Sequence, residues 1–359
     1  MAPEAAAAAL TRPPRRLPGW APLALMTVLM LAIGAYAGLR SPDFLSSYNI
    51  NTLLGSSGAL VLAIVAMGQV SALMVGGFDV SVGALMTLTV VIGSKGLLTA
   101  GTSGIGLVLG GVVLLGVGLL VGLTNAFLVR KVRLPSIIAT LATLSVMQGI
   151  ALQLRPVPEG EISSTVLDTL NTSVGFLPVT FVGVVVVAVL ADLWLYRTSS
   201  GLAARAVGLD ESSSRRMGAH SERVAWRAFV LSSLMAVVAG FFLAAQVGIG
   251  DARVGSGYAL TSIAAAVLGG ASLFGGKGSF VGAVVGALFL SLITNILPLP
   301  NILPVFLQDW SGALGYISVG VLTLLALVLY QAPELWARVR TAWQEIALSR
   351  RGPGQEPAR

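Results

Sequence analysis

The chain is 359 residues long, 55% of them apolar and 10% charged, with a mean hydropathy of +0.89; soluble domains carry about 25% charged residues, so a soluble enzyme is excluded. Against 15 Asp and Glu stand 22 Lys and Arg, a net charge of +7 with a pI near 10.2, which in so apolar a chain points to basic loops on one side of a membrane rather than to nucleic acid. The lack of Cys and the single His exclude disulfides, thiolate metal sites, Cys nucleophiles and a His-based zinc site.

In chain order, MAPEAAAAAL is a low-complexity tail. Arg12, Arg15 and Arg16 then precede an apolar run containing Ala35-Tyr36-Ala37, the outline of a secretory signal. That run is about 20 residues rather than the 7–15 of a signal core, which makes it an uncleaved first span. A crossing needs about 20 mostly apolar residues, and the hydropathy predicts ten. They run Trp20–Leu39, Ile50–Val75, Val80–Gly93, Gly104–Val129, Pro135–Leu152, Leu177–Tyr196, Ala225–Val247, Leu260–Leu268, Phe280–Leu297 and Trp310–Tyr330. The third and eighth are short or broken by glycine, so eight to eleven crossings fit the same pattern. The expected fold is an all-α integral membrane protein with broken helices. Residues 1–19 form a tail, 20–331 a transmembrane domain with a loop at 197–224, and 332–359 a second tail.

Glycine is 43 of the 359 residues and clusters inside the spans, as at Gly55, Gly58, Gly68, Gly110, Gly111, Gly116, Gly118 and Gly122, the usual signature of close helix packing through small faces. VGGFDVSVGALM, Val75 to Met86, is different: Gly76-Gly77 interrupts an apolar run and Asp79 and Ser81 follow. An ionised Asp inside a span costs about 2.5–3.5 kcal/mol on insertion scales. Two readings answer that cost. Asp79 is the N-cap of a helix that restarts after Gly-Gly, or the broken segment shows polar groups to a substrate path.

The extracytoplasmic loop Gln153–Phe176 sets Glu159, Glu161 and Asp168 against Arg155, and is read as a solvated loop or as a face for an external protein. Tyr196–Trp226 is the longest internal polar stretch. Within it Asp210-Glu211 precede Arg215-Arg216, the order that suits a short helix dipole, and Gly218 would stop that helix. Such a loop is either an ordinary basic loop or a compact helix that a motor subunit could grip. His220 reads as a surface residue. Further on, GGKGSFVGA (Gly275–Ala283) repeats GGFDVSVGA (Gly76–Ala84) at five of nine positions, consistent with a parallel internal duplication. A phosphate loop would need Gly at position 271 and Ser or Thr at 278, where the chain has Ala271 and Gly278. No nucleotide site is encoded, and any ATP dependence belongs to a partner.

With ten spans and the N-terminus inside, the cytoplasmic segments collect every basic residue except Arg40, Lys95, Arg155 and Arg253. That asymmetry, built up over several loops, places both termini in the cytoplasm.

These stretches resemble the permease subunits of ribose-type ATP-binding cassette importers, which take up pentoses, galactose-type sugars and small polyols. The similarity runs from PDFLSSYNINTLL (Pro42 to Leu54) to the last span. It is most specific in MGQVSALMVGGFDVSVGALMTL, in the loop ending MGAHSERV, and in GSGYALTSIAAAVLGGASLFGGKGSFVGAVVGAL. Gly68, Gln69, Gly76, Gly77, Asp79, Ser81 and Gly83 match the family pattern, with Phe78 where an aliphatic residue is usual. Glu211, Arg215 and Gly218 fit the helix that docks on the ATPase, while Ser213 and Ser214 replace an Ala pair and Ala219 a larger aliphatic.

The resemblance implies a type II importer-like permease, multi-pass in a bacterial cytoplasmic (inner) membrane and working as a homodimer or heterodimer. Its partners would be an ATPase subunit, which holds the ATP and Mg²⁺, and an extracytoplasmic sugar-binding protein; this chain binds no cofactor itself. Coupling would run through Asp210, Glu211, Arg215, Arg216 and Gly218. Gly76, Gly77, Asp79 and Ser81 of the break, with the polar side chains Gln69, Ser71, Asn125, Gln148, Gln246, Tyr258 and Asn295, would line the path. Each of the latter has an alternative role as an interhelical hydrogen-bond partner, worth about 0.6 kcal/mol on average. A secondary transporter driven by protons or sodium is the competing reading; only Asp79 and Asp192 are intramembrane acids on which it could rest. An intramembrane enzyme finds no HExxH, GxSxG or paired carboxylates in a span.

Overall fold

Backbone polar groups in hydrocarbon are satisfied within helices, and the apolar runs coil accordingly. The computed structural model describes residues 21–55, 58–99, 101–102, 104–315, 317–322 and 324. Both predicted tails, with their arginines, and the far end of the span expected over Trp310–Tyr330 lie outside these residues. The helices are α1 (Ala21–Arg40), α2 (Ser47–Leu54), α3 (Ala59–Met74), α4 (Val82–Ile92), α5 (Gly104–Arg130), α6 (Ser136–Leu154), α7 (Ser164–Leu170), α8 (Val179–Arg197), α9 (Ser199–Leu209), α10 (Glu211–Arg216), α11 (Ser221–Val247), α12 (Tyr258–Leu268), α13 (Phe280–Ile296) and α14 (Val305–Gln308). A further apolar helix covers Ser311–Leu322.

Each predicted span meets a helix, but ten independent crossings do not follow from length. Among the described residues five segments are long and apolar enough to cross: Ser47–Met74, which holds α2 and α3, and the helices Gly104–Arg130, Ser136–Leu154, Val179–Arg197 and Ser221–Val247. At 11 residues, α12 rises about 16 Å, roughly half of a hydrocarbon core of about 30 Å, while the 11 residues of α4 run on through a π-helical turn to Leu97. These are the third and eighth predicted spans, and each begins or ends at a break. The described residues are helical apart from connecting segments and two short antiparallel ribbons. One pairs β1 (Glu159–Glu161) with β4 (Ile249–Gly250), the other β2 (Ser173–Val174) with β3 (Leu177–Pro178).

Helix α3 is apolar all round, and all 16 of its residues are buried, as that pattern requires. It is packed by α11, α13 and α12, and α11 also packs on α4 and α5. The long helices α5, α6 and α8 form the outside, with 17–22% of their apolar windows buried. Close packing explains part of the glycine clustering: a side chain at Gly122 would put its Cβ 2.7 Å from Val230 Cα on α11. Gly116, on the same helix, has nothing within 4 Å, so small size is not needed there.

Candidate functional site

The chain between α3 and α4 leaves helical geometry at Gly76 (φ 74°) and is non-helical until it turns at Val80 and Ser81 into α4, which leaves several backbone groups without helical partners. Side chains of neighbouring helices take them up. On α6, Ser136 Oγ accepts from Phe78 N–H at 3.0 Å and Thr140 Oγ1 from Val80 N–H at 3.2 Å. On α3, Gln69 spans the Asp79 peptide: with the amide oriented to satisfy both groups, Nε2 donates to the Asp79 carbonyl (3.0 Å) and Oε1 accepts from its N–H (3.3 Å).

A relay of hydroxyls and an amide then ends on the Asp79 carboxylate. Thr143 donates to Asn125 Oδ1 (2.8 Å), Asn125 Nδ2 to Ser81 Oγ (2.9 Å), and the Ser81 hydroxyl to Asp79 Oδ1 (2.5 Å). The same oxygen accepts from Ser81 N–H at 3.1 Å. Asp79 therefore closes an Asx-type turn two residues ahead of the residue that caps α4, which is Ser81, rather than capping the helix from the N-cap position itself. Gln69, Asp79, Ser81 and Asn125 are completely buried and hold one another. Ser136, Thr140 and Thr143 complete this knot and were missed in the sequence, although their spacing along one helical face of α6 was there to read.

The second break, between α12 and α13, carries positive φ at Gly270, Gly275 and Gly276, and α13 is also restarted by a carboxylate. Asp192 on α8 accepts from Phe280 N–H (2.7 Å), Val281 N–H (3.2 Å) and the Ser279 hydroxyl (2.6 Å). Capping occupies this acid, which removes one of the two residues on which ion coupling would rest.

The two breaks touch. Gly276 N–H donates to the Met74 carbonyl at 2.9 Å, and a Cβ at Gly275 would lie 3.0 Å from Gly76 N. A third backbone is wedged against them: at Gly208, on α9 of the polar loop, a Cβ would sit 1.8 Å from the Met74 carbonyl oxygen and 2.4 Å from Gly276 N. No hydropathy signal singles out Gly208.

Beyond α9 the chain turns at Asp210, whose carboxylate accepts from Ser212 N–H (2.9 Å) and Ser213 N–H (3.1 Å) and so caps α10. These bonds, with the Ser212 and Ser213 hydroxyls, hold its pKa well below the usual carboxylate range. Ser214 is buried and donates to the Asp210 carbonyl, so the two serines standing in for Ala-Ala serve the cap. Gly218 ends the turn at φ 87°. Arg216 and Met217 project outward, but Glu211 turns inward to a bidentate pair with Arg130 at the end of α5 and accepts from Arg215 at 2.7 Å.

Hydrogen bonding to Arg130 pulls the Glu211 pKa from 4.5 down to about 2. A depressed carboxylate stabilises the fold fully above its unfolded value, near 4.5, and loses that contribution as pH falls through about 2, so the clasp is intact at neutral pH. Reversing it with Glu211→Arg should abolish substrate-dependent ATP hydrolysis and uptake, and adding Arg130→Glu should recover part of both. A double variant no better than the single would show that the clasp is not the reason.

Of the remaining path candidates, Gln246 and Tyr258 line one cavity of about 710 Å³ with Ser256, Thr261, Ser291, Thr294 and Arg253. Gln148 instead donates to the Ala252 carbonyl at 2.6 Å, and Asn295 forms a reciprocal amide pair with Asn49 at 3.0 and 3.1 Å. Ser71 bonds the Gly68 and Ala228 carbonyls and faces a different cleft. In the loop Gln153–Phe176 Arg155 is buried against Ser94 and paired with Glu159 at 2.9 Å, leaving Glu161 and Asp168 exposed.

The chain matches the family described as branched-chain amino acid transport system / permease component over residues 51–327. It is similar to the autoinducer 2 import system permease protein LsrC of Escherichia coli O157:H7, 32% identical over 346 residues that cover 93% of this chain and 96% of that protein. The protein of the same name from Yersinia pseudotuberculosis serotype O:3 (strain YPIII) is 32% identical over 85% of this chain and 83% of its own. That from Escherichia coli (strain K12 / DH10B) is 33% identical over 82% and 84%. No solved structure matches the chain.

Proposed function

Because this chain belongs to the family of transport-system permease components, and is a multi-pass permease of ATP-binding cassette importers, we propose that it carries a small sugar or polyol of the ribose, xylose or galactose class inward. The cargo of the relatives' names, autoinducer 2, and the family's description, branched-chain amino acids, point to different chemistry. The cavity around Gln246 and Tyr258 supports the sugar-type reading. Its lining offers hydroxyls, an amide and Arg253 but no Asp or Glu, so the ammonium group of an amino acid would find no counter-charge there, whereas a polyol needs only uncharged donors and acceptors.

In this reading two permease chains, identical or homologous, sit on two ATPase subunits and receive cargo from an extracytoplasmic binding protein. The loop lies in the cytoplasm with both termini. Closure of the ATPases is felt by α10 through Arg215, Arg216 and the adjoining turn at Gly218, and passes through α9 to the two breaks. Coupling then means that the closed ATPase pair binds one arrangement of the permeases more tightly than the other. ATP and Mg²⁺ stay on the partner.

The test is to purify the tagged full-length chain with its host's co-eluting proteins and reconstitute the complex in vesicles. Uptake of labelled ribose, xylose, galactose and leucine is then followed with and without ATP. ATP-dependent uptake of a sugar, with an ATPase in the eluate, is the expected result. Uptake of leucine alone, or transport driven by an ion gradient without ATP, would overturn it.

A further inference from the structure

On the loop side of the molecule a cleft of about 320 Å³ opens between α8, α9 and the start of α11. Its mouth carries Arg223 and Arg227, one turn apart on α11, together with the hydroxyls of Ser199 and Ser200. Its floor includes Trp194, Leu231 and Phe280, and these three also wall a second cavity of about 260 Å³ that runs on past Met67, Val187 and Met235 with only apolar side chains around it. The combined slot is thus basic at one end and hydrocarbon at the other. It is open sideways, since Val187 and Trp194 on its rim are 47% and 43% exposed.

Nothing in the described chain answers the two cations. Arg223 and Arg227 make no ion pair with any described residue, while each nearby acid is engaged elsewhere: Asp192 on the N-terminus of α13, Asp210 on that of α10, Glu211 with Arg130 and Arg215, and Glu222 with Lys131. Two exposed arginines could simply reach into headgroup water along their own stems, but that needs no apolar slot beneath them. Paired guanidiniums above a hydrocarbon channel at the membrane face fit one ligand shape, an anion carrying an alkyl chain.

We propose that this slot binds an anionic diacyl phospholipid of the cytoplasmic leaflet, its phosphate held between Arg223 and Arg227 and one acyl chain laid along Met67, Val187 and Met235. The cleft is lined by α9 and also by Gly218, Ala219 and His220 of the turn that meets the ATPase, so a bound lipid would brace that loop. The inference rests on the cytoplasmic placement of the loop proposed above and is independent of the cargo.

Native mass spectrometry of the full-chain complex in mild detergent, titrated with phosphatidylglycerol or phosphatidylcholine, tests it without a transport assay. Phosphatidylglycerol should be retained preferentially, and Arg223→Gln with Arg227→Gln should weaken its retention by about 30-fold. Ala191→Trp, which fills the apolar end and leaves both arginines in place, should displace it as well. Equal retention of the two lipids overturns the proposal, as does phosphatidylglycerol binding that neither variant changes, the outcome expected if a second permease copy covers this face.

Discussion

Gly208→Ala is expected to cut uptake at least about tenfold, the equivalent of ~1.4 kcal/mol on the coupled step, while leaving the ATPase still bound and hydrolysing ATP without regard to substrate. The reason is the triple backbone contact. The Gly276 N–H to Met74 carbonyl bond joins the two breaks, and α9 lies directly on that bond at Gly208. A methyl group placed 1.8 Å from the Met74 oxygen cannot be absorbed by a side-chain rotation, because the atoms it meets are main chain. Overpacking of this kind costs about 1–3 kcal/mol, and the cheapest relief is for α9 to lift off. The loop would still face the ATPase, but its movement would no longer reach the broken helices. Gly149→Ala is the control, since a Cβ there meets nothing within 4 Å. Uptake by Gly208→Ala equal to that of Gly149→Ala, at equal expression, would refute the joint as the route of coupling.

The second large effect is expected at Asp79, where the outcome depends on which group replaces the carboxylate. Every donor in the relay from Thr143 through Asn125 and Ser81 points toward Asp79 Oδ1, whereas Oδ2 has only the Ser232 hydroxyl beside it. Asparagine keeps an oxygen where the relay ends, so Asp79→Asn should remain within about 1 kcal/mol of the parent in stability and should transport. Leucine leaves the Ser81 N–H and hydroxyl unmet in a completely buried site, at about 1–3 kcal/mol for each orphaned group. Asp79→Leu should therefore lose both thermal stability in detergent and uptake. The measurement is a melting curve beside an uptake assay for each variant. Asn as damaging as Leu in uptake, with its stability preserved, would assign Asp79 a role that needs charge and would revive ion coupling.

The sequence by itself determined the class of the protein and the order of its parts. A run of apolar residues is a local property, and hydrocarbon solvent leaves a helix as the only way to satisfy the backbone of such a run; the predicted segments therefore meet helices from α1 onward. The same holds for Gly76-Gly77, which end α3, and for Asp210 and Gly218, whose effects on α10 are exerted within a few residues.

What the local pattern could not supply is which polar group finds which partner. Asp192 reads as an intramembrane acid available for coupling, and only packing shows it capping a helix 88 residues away. Glu211 reads as a docking residue, yet the fold brings Arg130 to it and turns it inward. Gln69 and Asn125 read as path residues because they are polar and in spans, and the fold gives each a hydrogen-bond partner in the Asp79 segment. Tertiary structure alone brought Met74, Gly208 and Gly276 together, since that contact depends on three backbones approaching more closely than any side chain permits. Such a contact is a property of helix placement, and a glycine at one position looks the same in sequence whether its missing side chain leaves room for a neighbour or for lipid.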